Sequence, residues 1–377
     1  MTSDGPNPFG DRLATLQRYM AAAGLDALLI TNLINLRYLT GFSGTAGLAV
    51  VFPERCVLAV DFRYASAARE VVAALPADLV ELTVVTGSFD EALTSLLRRP
   101  EVTRVGLEAT SMTVSRFHTL TAALAEPGPS PGPGITLVAT ERVIERQRAI
   151  KDPSELQILR EAACRLSTVA RGLRRFVAEG RSELEVAADI DAAVRAAGFE
   201  RPAFETIVAS GPNSARPHAR PGSRRLAAAD GVVLDFGGIY DGYCVDLTRT
   251  LHVGAPGPEL LRLARAVREA HAAAIGAVRP GVVPSAIDRA ARDVLVQHGL
   301  GDAFGHGTGH GLGLEVHEDP RISKLPGALP NDPVVPGMVF TIEPGVYVEG
   351  VGGVRIEDDV LVTEDGCEVL TDVPIDL

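Results

Sequence analysis

The chain has 377 residues, 46% hydrophobic and 22% charged, with a formal net charge of −12. That length exceeds one ordinary hydrophobic core and points to two domains of foldable, globular composition. The acidic balance argues against nucleic acid as the main partner, since phosphate contacts need a basic surface, and acidic solvated faces account for it equally well.

The four cysteines, Cys56, Cys164, Cys244 and Cys367, form no C-x-x-C pair, which fits reduced thiols rather than a disulfide frame or thiolate zinc site. The opening MTSDGPNPFGD has neither the basic nor the apolar region of a secretory signal. No apolar run approaches the ~18 residues of a membrane span. A cytoplasmic protein without membrane contact is expected.

In chain order, Leu13, Leu16 and Met20 recur at helical spacing up to Gly24, and Leu25 to Thr31 reads as a buried strand followed by a loop. Leu48 to Phe52 and Val57 to Val60 read as strands around a Pro53-Glu54-Arg55 turn. A helix near 64–75, strand 80–85, helix 89–97 and strand 105–107 continue an alternation that indicates an α/β layer fold. The Pro/Gly-rich run from Glu126 reads as a surface loop. Strand 136–139 and helix 140–147 then lead to Ala149-Ile-Lys-Asp-Pro-Ser-Glu-Leu, where Asp152 suits an N-cap and Pro153 a first helical turn. This places a domain boundary between 1–148 and 149–377. A long helix to about Val177 and a second from Ser182 to Ala197 are expected next.

Gly180, Val186, Val194 and Gly198 align with Gly281, Ile287, Leu295 and Gly299 at an offset of about a hundred residues. Either two alanine-rich helices coincide, or a helix-plus-hairpin unit is duplicated and sets strands from both halves around one site.

The chemistry concentrates in two strand-like pairs and one glycine-rich segment. In Asp235-Phe-Gly-Gly-Ile-Tyr-Asp-Gly-Tyr-Cys-Val-Asp246, the Asp241-Gly242 turn pairs Tyr240 with Tyr243. Asp235 and Asp246 then become diagonal neighbours on one sheet face. Aspartates also cap turns, but Asp246 lies inside a strand pattern where an unpaired carboxylate is disfavoured. A three-residue connection over Glu349 to Val351 sets Glu343 opposite Glu357, with Pro344 marking a strand end or bulge; the alternative is two solvent-facing glutamates. His306-Gly-Thr-Gly-His310-Gly-Leu-Gly-Leu-Glu-Val-His317-Glu318 carries three of the chain's eight histidines, as a ligand loop or as a glycine-rich turn with incidental histidines. Four buried carboxylates need compensation. Two divalent cations supply it, oxygen and imidazole donors favouring Mn²⁺ with Co²⁺, Fe²⁺ or Zn²⁺ open. Two ions ~3.5–4 Å apart suit hydrolysis.

Lys151-Asp-Pro-Ser-Glu-Leu, DFGG at Asp235, DLTRT at Asp246, HGTGHGLGLEVHE at His306, TIEPGVY at Thr341 and GVRIEDD at Gly353 together resemble the metal-dependent Xaa-Pro peptidases of the creatinase/methionine-aminopeptidase superfamily. The resemblance spans nearly the whole chain. It implies an α/β N-terminal domain of creatinase type and an α+β pita-bread catalytic domain with internal pseudo-duplication. It places metal ligands at Asp235, Asp246, His310, Glu343 and Glu357, with Asp246 and Glu357 shared by both ions and Glu343 also the base and proton shuttle. His317 and His218 become substrate-side catalytic histidines. Tyr347 and Arg355 line the proline side, and His306 supports the pocket.

The complete ligand set argues against creatinase, and the N-terminal domain argues against methionine aminopeptidase. Gly41-Phe-Ser-Gly-Thr-Ala-Gly47 resembles an aminopeptidase P segment, with Thr45 for Ser, so removal of the residue before a second-position proline is the first expectation. Prolidase, which cleaves Xaa-Pro dipeptides, is the alternative. A metal-free binding paralogue is the alternative of another class. The family implies a homodimer.

Overall fold

In the computed structural model, which describes residues 7–125, 134–324 and 331–375, helix α1 (Pro8–Ala23) starts where the Asn7 side chain accepts the Phe9 N–H. It ends at Gly24, whose left-handed φ of 62° a side chain would disfavour. Leu13, Leu16 and Met20 are buried, as their spacing predicts. The chain divides into two compact units, Met1–Arg148 and Ala149–Leu377. The expected Pro/Gly loop lies largely outside the described residues, which omit 126–133.

In the first unit, β1 (Ala27–Ile30) is followed by helix α2 (Leu33–Thr40) rather than the expected loop. Asn32 caps it by accepting the Ile34 and Asn35 N–H groups. Eight residues are too few to display a helical period, so the cap is the readable signal. Strands β2 (Leu48–Val51), β3 (Cys56–Asp61) and helix α3 (Ala65–Ala73) come next, then β4 (Val80–Val85), α4 (Phe89–Leu97) and β5 (Arg104–Glu108). Helix α5 (Val114–Ala125), which the sequence reading passes over, precedes β6 (Thr136–Thr140) and α6 (Val143–Arg148). The six strands order as β4-β3-β2-β1-β5-β6, with β2 antiparallel to both neighbours and the other pairs parallel. Leu29, Val50, Leu93, Val105 and Leu120 belong to its core.

The second unit opens with α7 (Pro153–Arg171), started by a reciprocal capping box between Asp152 and Glu155. It stops six residues short of the expected end, because Gly172 interrupts it and only a 3₁₀ turn follows. Helix α8 (Glu183–Ala196) leads to β7 (Arg201–Pro202), β8 (Ile207–Ser210), and the hairpin β9 (Gly231–Tyr240) and β10 (Tyr243–His252). Helices α9 (Pro258–Ala277) and α10 (Pro284–Gln297) precede β11 (Gly309–Gly311), β12 (Glu318–Ile322), β13 (Val339–Ile342), β14 (Gly345–Val348), β15 (Gly352–Arg355), β16 (Asp358–Val362) and β17 (Cys367–Val369).

The duplication is visible in α8 and α10, both 14 residues long. Each is entered through a left-handed glycine, Gly180 at φ 83° and Gly281 at φ 85°, and left through another, Gly198 or Gly299. β9 pairs with β10, β7 and β8, while β12-β11-β13-β16-β17 forms a second sheet. Val267, Ala270 and Ala274 of α9 pack in one core with Phe340, Ile342, Val354 and Val360 from the strands, which buries one face of the sheet and leaves the other for polar chemistry.

Candidate metal centre and its pocket

The β9–β10 hairpin has the expected register: Tyr240 pairs with Tyr243, Asp235 with Thr248 and Gly237 with Asp246. Asp235 and Asp246 are 9% and 5% exposed. The glutamate pair is built differently from the continuous hairpin expected. β14 pairs with β15 and β13 with β16, both in the register that sets Glu343 opposite Glu357, but the two glutamates fall in the break between the ladders. Pro344 has no N–H to continue the ladder. Glu343 N–H donates instead to Thr308 O at 2.7 Å, and Glu357 N–H to Thr248 O at 3.1 Å. Both side chains are thereby released from strict strand alternation.

His310 sits in β11 between Gly309 and Gly311. A Cβ on Gly309 would collide with the Thr341 carbonyl, so the glycine lets β11 lie against β13. His310 Nδ1 donates to Gly311 O at 3.1 Å, which leaves Nε2, 3.6 Å from Glu343 Oε1, as the acceptor. Ligand atoms of Asp246, His310 and Glu357 lie within 4.8 Å of one another.

The electrostatics show what such crowding costs. Burial, reinforced by Glu357 and Asp235, pushes the Asp246 carboxyl well above its usual range. Burial and Glu343 do the same to Glu357. Burial raises Glu343 to about 7, with Arg355 opposing and Asp235 adding to the rise. Burial lowers His310 to about 3, with His317 contributing, and His306 to about 4.

The donor set fits divalent cations. Asp235 Oδ1 and Asp246 Oδ1 are buried without a hydrogen-bond partner among the described residues. Such orphaned carboxylate oxygens are rare unless they serve a ligand. The other Asp235 oxygen accepts from Arg355 Nη2 at 2.5 Å, so one oxygen is oriented while its neighbour stays available.

These residues line a cavity of about 540 Å³, together with His218, His306, His317 and Arg355. His317 is exposed, its ring 4.3 Å from that of His310. Tyr347, expected to line the pocket, is not among its lining residues; its hydroxyl accepts from Arg355 Nη1 at 2.7 Å and is 3.0 Å from His306 Nε2.

Three contributors escaped the sequence reading. Thr248 donates to Glu357 Oε2 at 2.6 Å; its place two residues after Asp246, on the same strand face, was the available signal. The Asp246 N–H donates to buried Asp359 Oδ2 at 3.1 Å. Arg321, paired with His310 across β11 and β12, also lines the cavity; a register shift after His310 hides that pairing from spacing arguments.

A carboxylate-rich, imidazole-bearing cavity on a duplicated α+β unit defines a metallohydrolase, and the comparisons agree. Residues 157–364 match the model of metallopeptidase family M24, and residues 12–150 match the creatinase/prolidase N-terminal domain. The chain belongs to metallopeptidase family M24. It is 34% identical over 364 residues to a Xaa-Pro dipeptidase of Pyrococcus furiosus, covering 96% of this chain and 97% of that one. Among solved structures it is similar to a Xaa-Pro dipeptidase from Bacillus anthracis, with TM-score 0.90, 33% identity and coverage of 98% and 99%. It is also similar to an X-Pro aminopeptidase from Thermotoga maritima, with TM-score 0.84, 32% identity and coverage of 95% and 99%.

Proposed function

We propose that the protein is a metal-dependent Xaa-Pro dipeptidase, a prolidase, and not the aminopeptidase P that the Gly41–Gly47 segment favours. Arg321 carries this choice. Its exposed guanidinium lines the cavity and has no ion-pair partner among the described residues. A dipeptide ends at proline in a free carboxylate that such a cation recognises; in a longer peptide that carbonyl is a neutral amide. The names of the dipeptidase relatives support the same reading.

In this reading the N-terminal domain covers 1–148 and the catalytic domain 149–377. Asp235, Asp246, His310, Glu343 and Glu357 hold two divalent ions, Mn²⁺ being the first choice for oxygen and imidazole donors. Bound there, the ions supply Lewis-acid activation of water and of the scissile carbonyl. Glu343, which faces the cavity, takes a proton at its carboxylate and returns it to the leaving proline nitrogen as general base and then acid. His218 and His317 contact the peptide and steady the developing oxyanion. Arg355 orients Asp235, and His306 with Tyr347 backs Arg355. The protein acts on peptides with proline in second position, as a cytoplasmic homodimer.

The deciding assay follows Xaa-Pro and Xaa-Pro-Xaa hydrolysis after chelation and Mn²⁺ restoration, in wild type and Arg321→Gln. Mn²⁺-dependent cleavage of the dipeptide alone, with KM raised roughly tenfold or more in the variant by loss of a charge-assisted bond, is expected. Tripeptide cleavage would make the protein an aminopeptidase P, and inertness with metal bound would make it a binding paralogue.

A further inference from the structure

Five consecutive residues, Pro217 to Pro221, form one wall of the cavity and carry His218. This wall belongs to no strand. It lies between two points held by a single buried side chain, Glu183, which is 0% exposed and does not itself line the cavity. On the near side, Glu183 Oε1 accepts from Ser210 N at 2.8 Å and Ser210 Oγ at 2.7 Å. On the far side, Oε2 accepts from Gly222 N at 3.1 Å. The Asn213 amide reaches both oxygens, at 3.1 and 3.2 Å.

The stitching runs in both directions. The Glu183 and Leu184 N–H groups, which open α8 and have no partner within the helix, donate to Arg224 O and Gly222 O at 3.0 and 3.2 Å. The pseudo-equivalent helix repeats the device one turn further along. Asp288 of α10, also 0% exposed, accepts from Thr308 N at 3.2 Å and Thr308 Oγ1 at 2.9 Å. Its i+4 neighbour Arg292 donates to His306 O at 2.9 Å. Each half thus uses a buried acid on its repeated helix to hold a histidine-bearing loop.

We propose that Glu183 is a positioning residue that sets the substrate-side wall, while Asp288 holds the loop of the metal-ligand histidine. The two acids divide the work: Glu183 acts on substrate recognition, Asp288 on ion binding. This rests on the reading of the cavity as the peptide site, so the test includes readouts independent of turnover.

The experiment compares Glu183→Gln, the milder Asn213→Ala and Asp288→Asn with wild type. It measures hydrogen exchange of 207–224, metal content after dialysis, and KM and kcat for a Xaa-Pro dipeptide. For Glu183→Gln, exchange at the Ser210 and Gly222 amides should quicken about tenfold, as expected for a lost charge-assisted bond; Asn213→Ala, which removes only the Asn213 bonds that hold the Glu183 carboxylate in place, should quicken both by a smaller factor. Metal content should stay at the wild-type level, while KM should rise by on the order of tenfold and kcat should fall with it, because the displaced wall carries His218. Asp288→Asn should instead lose metal on dialysis. Unchanged exchange at Ser210 and Gly222 in folded variants would overturn the clamp itself, whatever the enzyme's substrate. Quickened exchange with unchanged KM, or loss of metal in the Glu183 variant, would overturn the division of labour. If Glu183→Gln fails to fold, Asn213→Ala carries the same readings alone.

Discussion

Thr248 donates its hydroxyl proton to Glu357 Oε2 at 2.6 Å, and the Thr248 hydroxyl oxygen itself accepts from Arg355 Nε at 3.2 Å. Because Arg355 also binds Asp235, two carboxylates, one on β9 and one between β15 and β16, are oriented by one short relay. Removing that hydroxyl in the near-isosteric Thr248→Val should weaken metal binding about tenfold to a hundredfold, the usual cost of losing an outer partner of a ligand. Thr248→Ser should restore it. Chelator-competition titration of the two variants checks this, and equal affinities would show the relay to be idle.

Glu343 lies 3.6 Å from His310 with its carboxyl raised to about 7. Glu343→Gln and His310→Ala should lower kcat by at least ~10²-fold, with far-ultraviolet circular dichroism of the folded chain retained. Near-wild-type turnover in either would remove both residues from the chemistry.

Asp246 and Glu357 carry folded-state pKa values raised above ordinary values of 3.8 and 4.5. As pH rises through that ordinary range, the unfolded chain ionises while the metal-free folded pair keeps its protons, so metal-free stability falls. Metal binding releases those protons and removes the penalty. His306, lowered to about 4, is neutral with and without metal above pH 5, so its contribution cancels. The Tm difference between metal-loaded and chelated protein should therefore widen from pH 5 to pH 8; a constant difference would contradict the assignment of this pair as ligands.

Lys151 Nζ lies 3.2 Å from Glu318 Oε2, the two side chains 1% and 4% exposed. Glu318 also accepts the Glu315 N–H at 3.0 Å, in the loop that ends at His317. Lys151→Met breaks this buried ion pair by removing one partner, which should cost ~3–5 kcal/mol in denaturant unfolding of the metal-loaded protein.

Much of the site was legible because it is local. An Asp-Gly turn fixes the β9–β10 register, and with it the relation of Asp235 to Asp246, within twelve residues. The Glu343–Glu357 register follows in the same way from the short Glu349–Val351 turn. Arg321 was not legible, since its pairing with His310 passes through a register shift. Glu183 and Asp288 were also hidden: both are fully buried, and only tertiary packing shows which loop each one holds. In the first unit, α2 was missed because tertiary burial and one asparagine cap define it more than periodicity does.

The break at Glu343 and Glu357 makes one surface turn govern distant parts of the catalytic unit. β14–β15 and β13–β16 are two stretches of a single folded-back ribbon, counted from the same Glu349–Val351 bend. One residue added to that bend would slide both stretches together. It would invert the facing of every side chain along them and carry the two glutamates out of mutual reach. The bend does not line the cavity, yet its length is as stringent a requirement as the identity of any acid in the pocket. Natural variation there should run through residue type and spare residue number.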